Sequence, residues 1–402
     1  RAPALARALS MSDPGRGGGG NGAATGRAAL RKDSTLERYA NRPLTPVSIQ
    51  QMLTLNKQRL QVAPHLREEL LVRLARRYKD MHELPQGLLD TEPLRQVAAM
   101  YYSFFQSLVG VRRPDSEEKD AVFTSVLRDF YIKDGSTLPA IAMGMREWNR
   151  TGKAVTGQSA EALNARLDDF FTARLSVRML IGQHCEVPGH AKIRRGLNVA
   201  DTVREAAETT QAMCMKRFGV CPEIRIDGHL DFKFTYVQSH LHHMLFELLK
   251  NSVRAVVEQH HGQKGAEKRK RLTLSSRHLG SDELPPVMVI ISGGKEDVVI
   301  KVSDEGGGIP RSDLHRIWSY EYTTATDADR SLNQVDTPLS PDTPYVTFRD
   351  NFYGMGYGLP IARVFARYFG GDLRVVSTEG WGTDAYIYIN RLESAAVETL
   401  PE

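Results

Sequence analysis

"HHMLFELLKNSVRAVVE", residues 242–258, sets an acid and an amide four residues apart inside an otherwise apolar helical pattern. At about 100° per residue, His243, Glu247, Asn251 and Arg254 share a stripe about 80° wide. Leu241, Met244, Leu245, Leu248, Leu249, Val253 and Val256 fill the other side. The helix therefore has one face made for burial and a second, narrow face of imidazole, carboxylate, amide and guanidinium. Two readings fit this stretch alone: a surface helix with a solvated polar face, or a helix that carries a polar site into a core. The segments downstream decide between them.

The strand-like run "VVIKVSD" leads straight into "EGGGIP", placing Asp304 at a strand end ahead of Gly306 and Gly308. A carboxylate there can accept a hydrogen bond from an exocyclic amine, and bare backbone lets a flat base approach. A tight turn would use the same residues. Farther on, Gly354, Met355, Gly356, Tyr357, Gly358 and Leu359 run into a helix with Pro360 in its first turn. Unpaired amides at such a start suit phosphate oxygens. "EGWGTDAYIYI" then puts Thr383 at the head of a strand, where its hydroxyl can join a base or an ordered water. The order is an E-x-x-x-N helix, a D-x-G-x-G turn, a long intervening segment, a G-x-G-x-G helix start and Gly-Thr. It resembles the ATPase and kinase superfamily of gyrase, Hsp90, sensor histidine kinases and MutL.

The rest of the chain is organised around that constellation. At 402 residues it has room for two domains. From about 45 to 190 the pattern is helical, with amphipathic runs around residues 64–84, 92–110, 119–148 and 160–184. Four such helices with modest loops make a bundle. "YYSFF" at 101–105 reads as core packing. From about 191 to 395 strands and helices are mixed, which predicts an α+β sandwich with one helical layer on a mostly antiparallel sheet. Residues 259–286 read as a solvated insertion, and 311–353, rich in Thr, Asp and Pro, as a lid.

Net charge is +5, partly from the N-terminal segment and one basic run, so charge does not call for a nucleic-acid partner. No apolar run is long enough for a membrane span. Cys185, Cys214 and Cys221 form no C-x-x-C, which favours reduced thiols. Residues 1–44 read as a disordered or transit-peptide-like segment. The first 32 of them are rich in Arg, Ala and Gly, with Asp13 their only acid.

More narrowly, "EELLVRLARR", "RMLIGQH", "HHMLFELLKNSVRA", "IKVSDEGGGIPRSDL", "YEYTTA", "GYGLPIARVFARYFGGDL" and "STEGWGTDAYIYI" resemble the mitochondrial pyruvate dehydrogenase kinase and branched-chain α-ketoacid dehydrogenase kinase family. The resemblance spans nearly all of 45–390 and leans to the pyruvate type, with the branched-chain type as the alternative. It implies a four-helix bundle followed by a gyrase/Hsp90-type ATP-binding domain, acting as a serine kinase that inactivates the E1 α subunit. It implies Glu247 as general base with His243 orienting it, Asn251 as Mg²⁺ ligand and Asp304 as adenine contact. Arg254, Gly306, Gly308 and Thr383 would line the ATP site. Thr323 and Thr324 would touch ATP from the lid, and Gly354 to Leu359 would hold the phosphates. K⁺ near the nucleotide, a homodimer, docking on the lipoyl domain of the E2 core and residence in the mitochondrial matrix follow from the same likeness.

One departure stands out. Asp134 occupies the place, five residues before Pro139, where the family usually has a histidine. Two other classes compete: a clamp-type ATPase in which Glu247 activates water, and a sensor histidine kinase phosphorylated on His82. "MHELPQGL" at 81–88 imitates the start of the phosphoacceptor motif, but Pro85 and Gly87 look like a helix end.

Overall fold

The computed structural model describes residues 33–401, apart from 56, 86, 152–157, 186–192, 262–283, 321, 323–355 and 392–395. Two short helices, α1 (Ser34–Ala40) and α2 (Ile49–Thr54), open it. Asp33 caps α1, and Ser48 with Gln51 forms a capping box on α2. The long helices follow: α3 (Arg59–His82), α4 (Glu92–Gly110), α5 (Glu117–Lys133), α6 (Thr137–Arg150) and α7 (Gln158–Cys185). A 3₁₀ turn at Asp134–Ser136 joins α5 to α6 with right-handed torsions at its ends, so the two form one broken column. With α3, α4 and α7 this makes the expected bundle. Leu70, Leu74, Tyr101, Phe105, Phe123, Leu127, Trp148, Leu167 and Leu180 bury its seam. The aromatic run at 101–105 is core, as its sequence suggested: Tyr101, Phe104 and Phe105 are buried, and Phe104 stacks on Phe130 at 3.8 Å.

The break in that column is where Asp134 sits. Its carboxylate is fully buried and takes Arg178 at 2.7 Å, Arg174 at 2.9 Å, and the hydroxyls of Tyr101 and Thr137 at 3.0 Å each. Arg178 also lies 3.8 Å over the Tyr131 ring. An acid here neutralises two guanidinium groups that would otherwise be stranded in the bundle core.

After the bundle come β1 (Ile193–Asn198), α8 (Val199–Phe218), β2 (Ile224–Gly228), β3 (Lys233–Val237), α9 (Gln238–His261), β4 (Val287–Gly293), β5 (Asp297–Asp304), α10 (Gly358–Arg367), β6 (Asp372–Thr378) and β7 (Gly382–Asn390). The main sheet runs β2-β4-β5-β7-β6, antiparallel except for the β2–β4 pair. β1 and β3 form a separate antiparallel pair. Alternate residues of β5, namely Val298, Ile300 and Val302, are fully buried, and α9 packs on this strand. The result is an α+β sandwich with one helical layer.

Among the described residues, contacts in two regions stand out in tying the bundle to the sandwich. Tyr320 donates its hydroxyl to Asp168 at 2.6 Å, and Phe171 of α7 packs on both Tyr320 and Tyr357. The second is a strap at 396–399. Ile49 donates to the Ala396 carbonyl at 2.9 Å, Glu398 N–H to Val47 O at 3.3 Å, and Thr399 N–H to Tyr368 O at 2.8 Å. The Glu398 carboxylate, 4% exposed as a residue, accepts Arg73 at 2.6 and 3.2 Å, the Val47 amide at 2.9 Å and the Tyr368 hydroxyl.

Candidate functional site

The apolar side of α9 is buried as its pattern predicted, with Leu241, Met244, Leu245, Leu249, Val253 and Val256 at 0% exposure. Its polar stripe is not a solvated face. Glu247 is only 4% exposed and His243 9%, while Asn251 and Arg254 are half-buried. The stripe opens into a cavity of about 430 Å³ between α9, the turn after β5, the start of α10 and β7. Glu247, Asn251, Arg254, Asp304, Gly306, Gly308, Gly356, Gly358, Leu359 and Thr383 all line it. Distant stretches of sequence thus converge on one pocket.

Asp304 ends β5 opposite Thr383, its pair on β7. Its carboxylate accepts the Gly306 amide at 3.0 Å. Burial raises its pKa, against the opposing pull of hydrogen bonds from Ser252, Gly306 and Thr383. The glycines around it are required by closeness. A Cβ on Gly306 would stand 2.4 Å from that of Ala255, and one on Gly308, which also has φ +70°, 2.2 Å from Thr378 O. At the other wall, a Cβ on Gly358 would meet a Glu247 carboxylate oxygen at 2.1 Å. The first turn of α10 is therefore packed against the acid of α9, and a side chain there would push that carboxylate out of its position.

The Glu247 carboxylate is held by a group that the sequence reading missed. Lys250 Nζ lies 2.8 Å from Oε1 and 2.7 Å from Oε2, and its side chain is 3% exposed. The signal was available, since i and i+3 positions face one another on a helix. Ser252, which helps hold Asp304, was missed as well. His243 does not hold Glu247 by a hydrogen bond here: its Nε2 has no hydrogen-bond partner among the described residues. Its ring packs 4.9 Å from Phe365. Burial, opposed by the Glu247 charge, lowers its pKa to about 4, so the imidazole is neutral at physiological pH. Tyr357 is buried, 5.2 Å from Tyr320, and does not line the cavity. Thr323, Thr324, Gly354 and Met355 lie outside the described residues.

A magnesium ion that bridges phosphates keeps several waters and needs only one or two protein oxygens. Asn251, half-buried on the cavity wall one turn from Glu247, meets that need, and no group of three His, Cys, Asp or Glu that could hold a metal occurs among the described residues. His82 does not suit phosphoryl acceptance. It is 9% exposed, with Nδ1 on the Tyr78 carbonyl at 2.8 Å.

A one-layer α+β sandwich whose central helix, strand-end aspartate and glycine-led helix enclose one pocket defines an ATP-binding domain of the gyrase, Hsp90 and histidine-kinase class. Residues 236–393 match the family described as histidine kinase-, DNA gyrase B- and HSP90-like ATPase. Residues 46–204 match the one described as mitochondrial branched-chain alpha-ketoacid dehydrogenase kinase. A mitochondrial [pyruvate dehydrogenase (acetyl-transferring)] kinase of Arabidopsis thaliana is 37% identical over 84% of this chain and 87% of its own length. The corresponding kinase of Drosophila melanogaster is 35% identical over 94% and 89%. Isozyme 3 of Mus musculus is 34% identical over 91% and 86%. The chain belongs to the mitochondrial pyruvate dehydrogenase kinase family. No described helix is long and apolar enough to cross a membrane.

Proposed function

We propose that this protein is an ATP-dependent serine kinase that phosphorylates and inactivates the E1 α subunit of the pyruvate dehydrogenase complex in the mitochondrial matrix. The observation that carries the reading is the buried Glu247–Lys250 pair against the glycine start of α10. With phosphates on the α10 amides, the γ-phosphate lies beside Glu247, whose carboxylate takes the proton of the attacking serine hydroxyl. Lys250 pairs with that carboxylate and holds it in place, and its ammonium can turn towards the γ-phosphate as negative charge shifts during transfer. Neutral His243 closes the apolar side of the acid and excludes water.

Asp304 reads the adenine amine, with Gly306, Gly308 and Thr383 around the base. Asn251 would hold Mg²⁺, which would supply charge neutralisation to the phosphates. Arg254 sits at the pocket rim, and Thr323 and Thr324 contact ATP from a lid at 311–353. K⁺ bound through backbone carbonyls near the nucleotide belongs to the same reading. Residues 45–190 form the docking bundle, taking the lipoyl domain of the E2 core, and 191–395 the kinase domain. Docking raises the local concentration of the E1 serine without changing the chemistry. A homodimer fits the outer sheet face, where Ile290 is 39% and Val376 59% exposed beside half-buried Met288, Val299, Tyr386 and Tyr388.

The test is purified protein with labelled ATP and intact pyruvate or branched-chain dehydrogenase complex. Acid-stable label on the pyruvate E1 α subunit supports the proposal, and label on the branched-chain subunit transfers it to the other complex. Free phosphate alone favours a clamp-type ATPase, and acid-labile label on the kinase itself a histidine kinase.

A further inference from the structure

Away from the nucleotide pocket, a second cavity of about 370 Å³ opens between the end of α1, the C-terminal half of α3, the middle of α7 and the residues after the strap. Arg76, Arg77 and Lys79 line it on α3, and Leu44 and Leu400 give it an apolar side. Its cations are short of acceptors. Arg77 is 3% exposed and reaches Asp80 through one nitrogen at 3.1 Å, while Nε and Nη1 have no hydrogen-bond partner among the described residues. Arg76 spends Nε on the Arg42 carbonyl at 3.0 Å, and Lys79 is exposed. The other arginine in the wall, Arg73, is already matched by Glu398 and Glu69. At the rim, Glu83 faces Arg166 at 3.5 Å. Burial lowers the pKa of Arg77 and raises that of Asp80, as expected where charge is poorly solvated and incompletely matched.

We propose that this cavity binds a phosphate monoester on a short body, with Arg76 and Lys79 gripping the phosphate and Arg77 supplying charge from the wall. A phosphate carries about −1.5 to −2 charges and three acceptor oxygens, which suits the accessible donors of Arg76 and Lys79, backed by the buried Arg77 charge, better than a single carboxylate does. The site is separate from the ATP pocket and does not depend on the kinase reading.

Calorimetry on the full chain tests it, with the nucleotide pocket filled by a non-hydrolysable ATP analogue and a phosphate-free buffer. Glycerol 3-phosphate, inorganic phosphate and succinate are titrated separately. Saturable binding of either phosphate is expected, weakened about tenfold by Arg76→Ala and further by adding Lys79→Ala, as loss of charge-assisted hydrogen bonds implies. Tighter binding of glycerol 3-phosphate identifies a phosphorylated metabolite, and equal binding of inorganic phosphate identifies the free ion. Both substituted residues are solvent-accessible, and an unchanged melting temperature establishes that the variants are folded. No saturable binding of either phosphate, binding unaltered in the double variant, or succinate binding as tightly as the phosphates overturns the proposal.

Discussion

Replacing Lys250 by Met tests whether the Glu247 carboxylate is a base held in place by its neighbour. The methionine fills similar space but removes an ammonium 2.7 and 2.8 Å from the two carboxylate oxygens, in a pair whose side chains are 3% and 5% exposed. Breaking a buried ion pair from one side costs about 3–5 kcal/mol, because the remaining charge is left without compensation. Without the ammonium the carboxylate also loses the contact that fixes its position beside the start of α10. Stability and catalysis should therefore fall together. Loss of a general base lowers the rate by about 10²–10⁴-fold. Adding Glu247→Gln to Lys250→Met should restore most of the lost stability and none of the activity, since two neutral groups then face each other. Urea melts across the four members of this cycle measure the stability coupling. Single-turnover transfer to E1 measures the rate. A single variant that transfers phosphate within twofold of the parent would refute the assignment of both residues.

Other consequences are more local. Asp304→Ala leaves the adenine amine without its acceptor and should weaken ATP binding by roughly 1–3 kcal/mol, about 5- to 150-fold in Kd by calorimetry, while the fold melts normally. Asp134→Ala strands Arg174 and Arg178 in the bundle and should cost about 3–5 kcal/mol in chemical denaturation; a loss under 1 kcal/mol would contradict the ion-pair account. His240 and His243 are held neutral by burial, with pKa values lowered to about 3 and about 4. The unfolded chain binds their protons first, so their contribution is full above about pH 6.5 and declines as pH falls toward those values. Urea stability should drop on the order of 2 kcal/mol per histidine between pH 7 and 5 and recover on return to pH 7.

Much of this was legible because periodicity and chemistry coincided. On α9, residues at three- and four-residue spacing are apolar wherever the helix meets the sheet, and the exceptions, Glu247 and Asn251, line the pocket. A polar residue in a core-facing register is visible from sequence because it breaks the pattern. The glycines at 306, 308, 356 and 358 were visible for a related reason, since a run of residues without side chains has few purposes other than turning or letting something approach. Lys250 was harder to see. A lysine on a helix is normally a solvated charge, and only the depth of α9 turns it into a buried partner. β1 and β3 escaped notice because "IRRGLN" and "KFTYV" are short, and their pairing lies across some forty residues of sequence. His243 carried the right neighbourhood but not the hydrogen bond: spacing on a helix fixes which residues share a face, and rotamers decide which of them touch.

The Asp134 and Glu398 clusters extend the same lesson from the site to the bundle core and to the joint between the two halves. Each is a buried carboxylate that gathers arginine and tyrosine from separate elements, and neither lines the ATP pocket. Glu398 is the more consequential because its partners lie on opposite sides of the joint. Arg73 belongs to the bundle, and Tyr368 directly follows α10, the helix whose first turn abuts Glu247. At the same joint, Phe171 of α7 packs on Tyr357, the residue immediately before α10. Both ends of α10 are thus held from the bundle side. A helix of ten residues pinned at each end has little freedom to tilt without breaking a buried ion pair or uncovering an aromatic contact. Rearrangement of the bundle on docking would therefore be felt first as a change in how the α10 amides present themselves to the nucleotide, before any side chain of the pocket itself had moved.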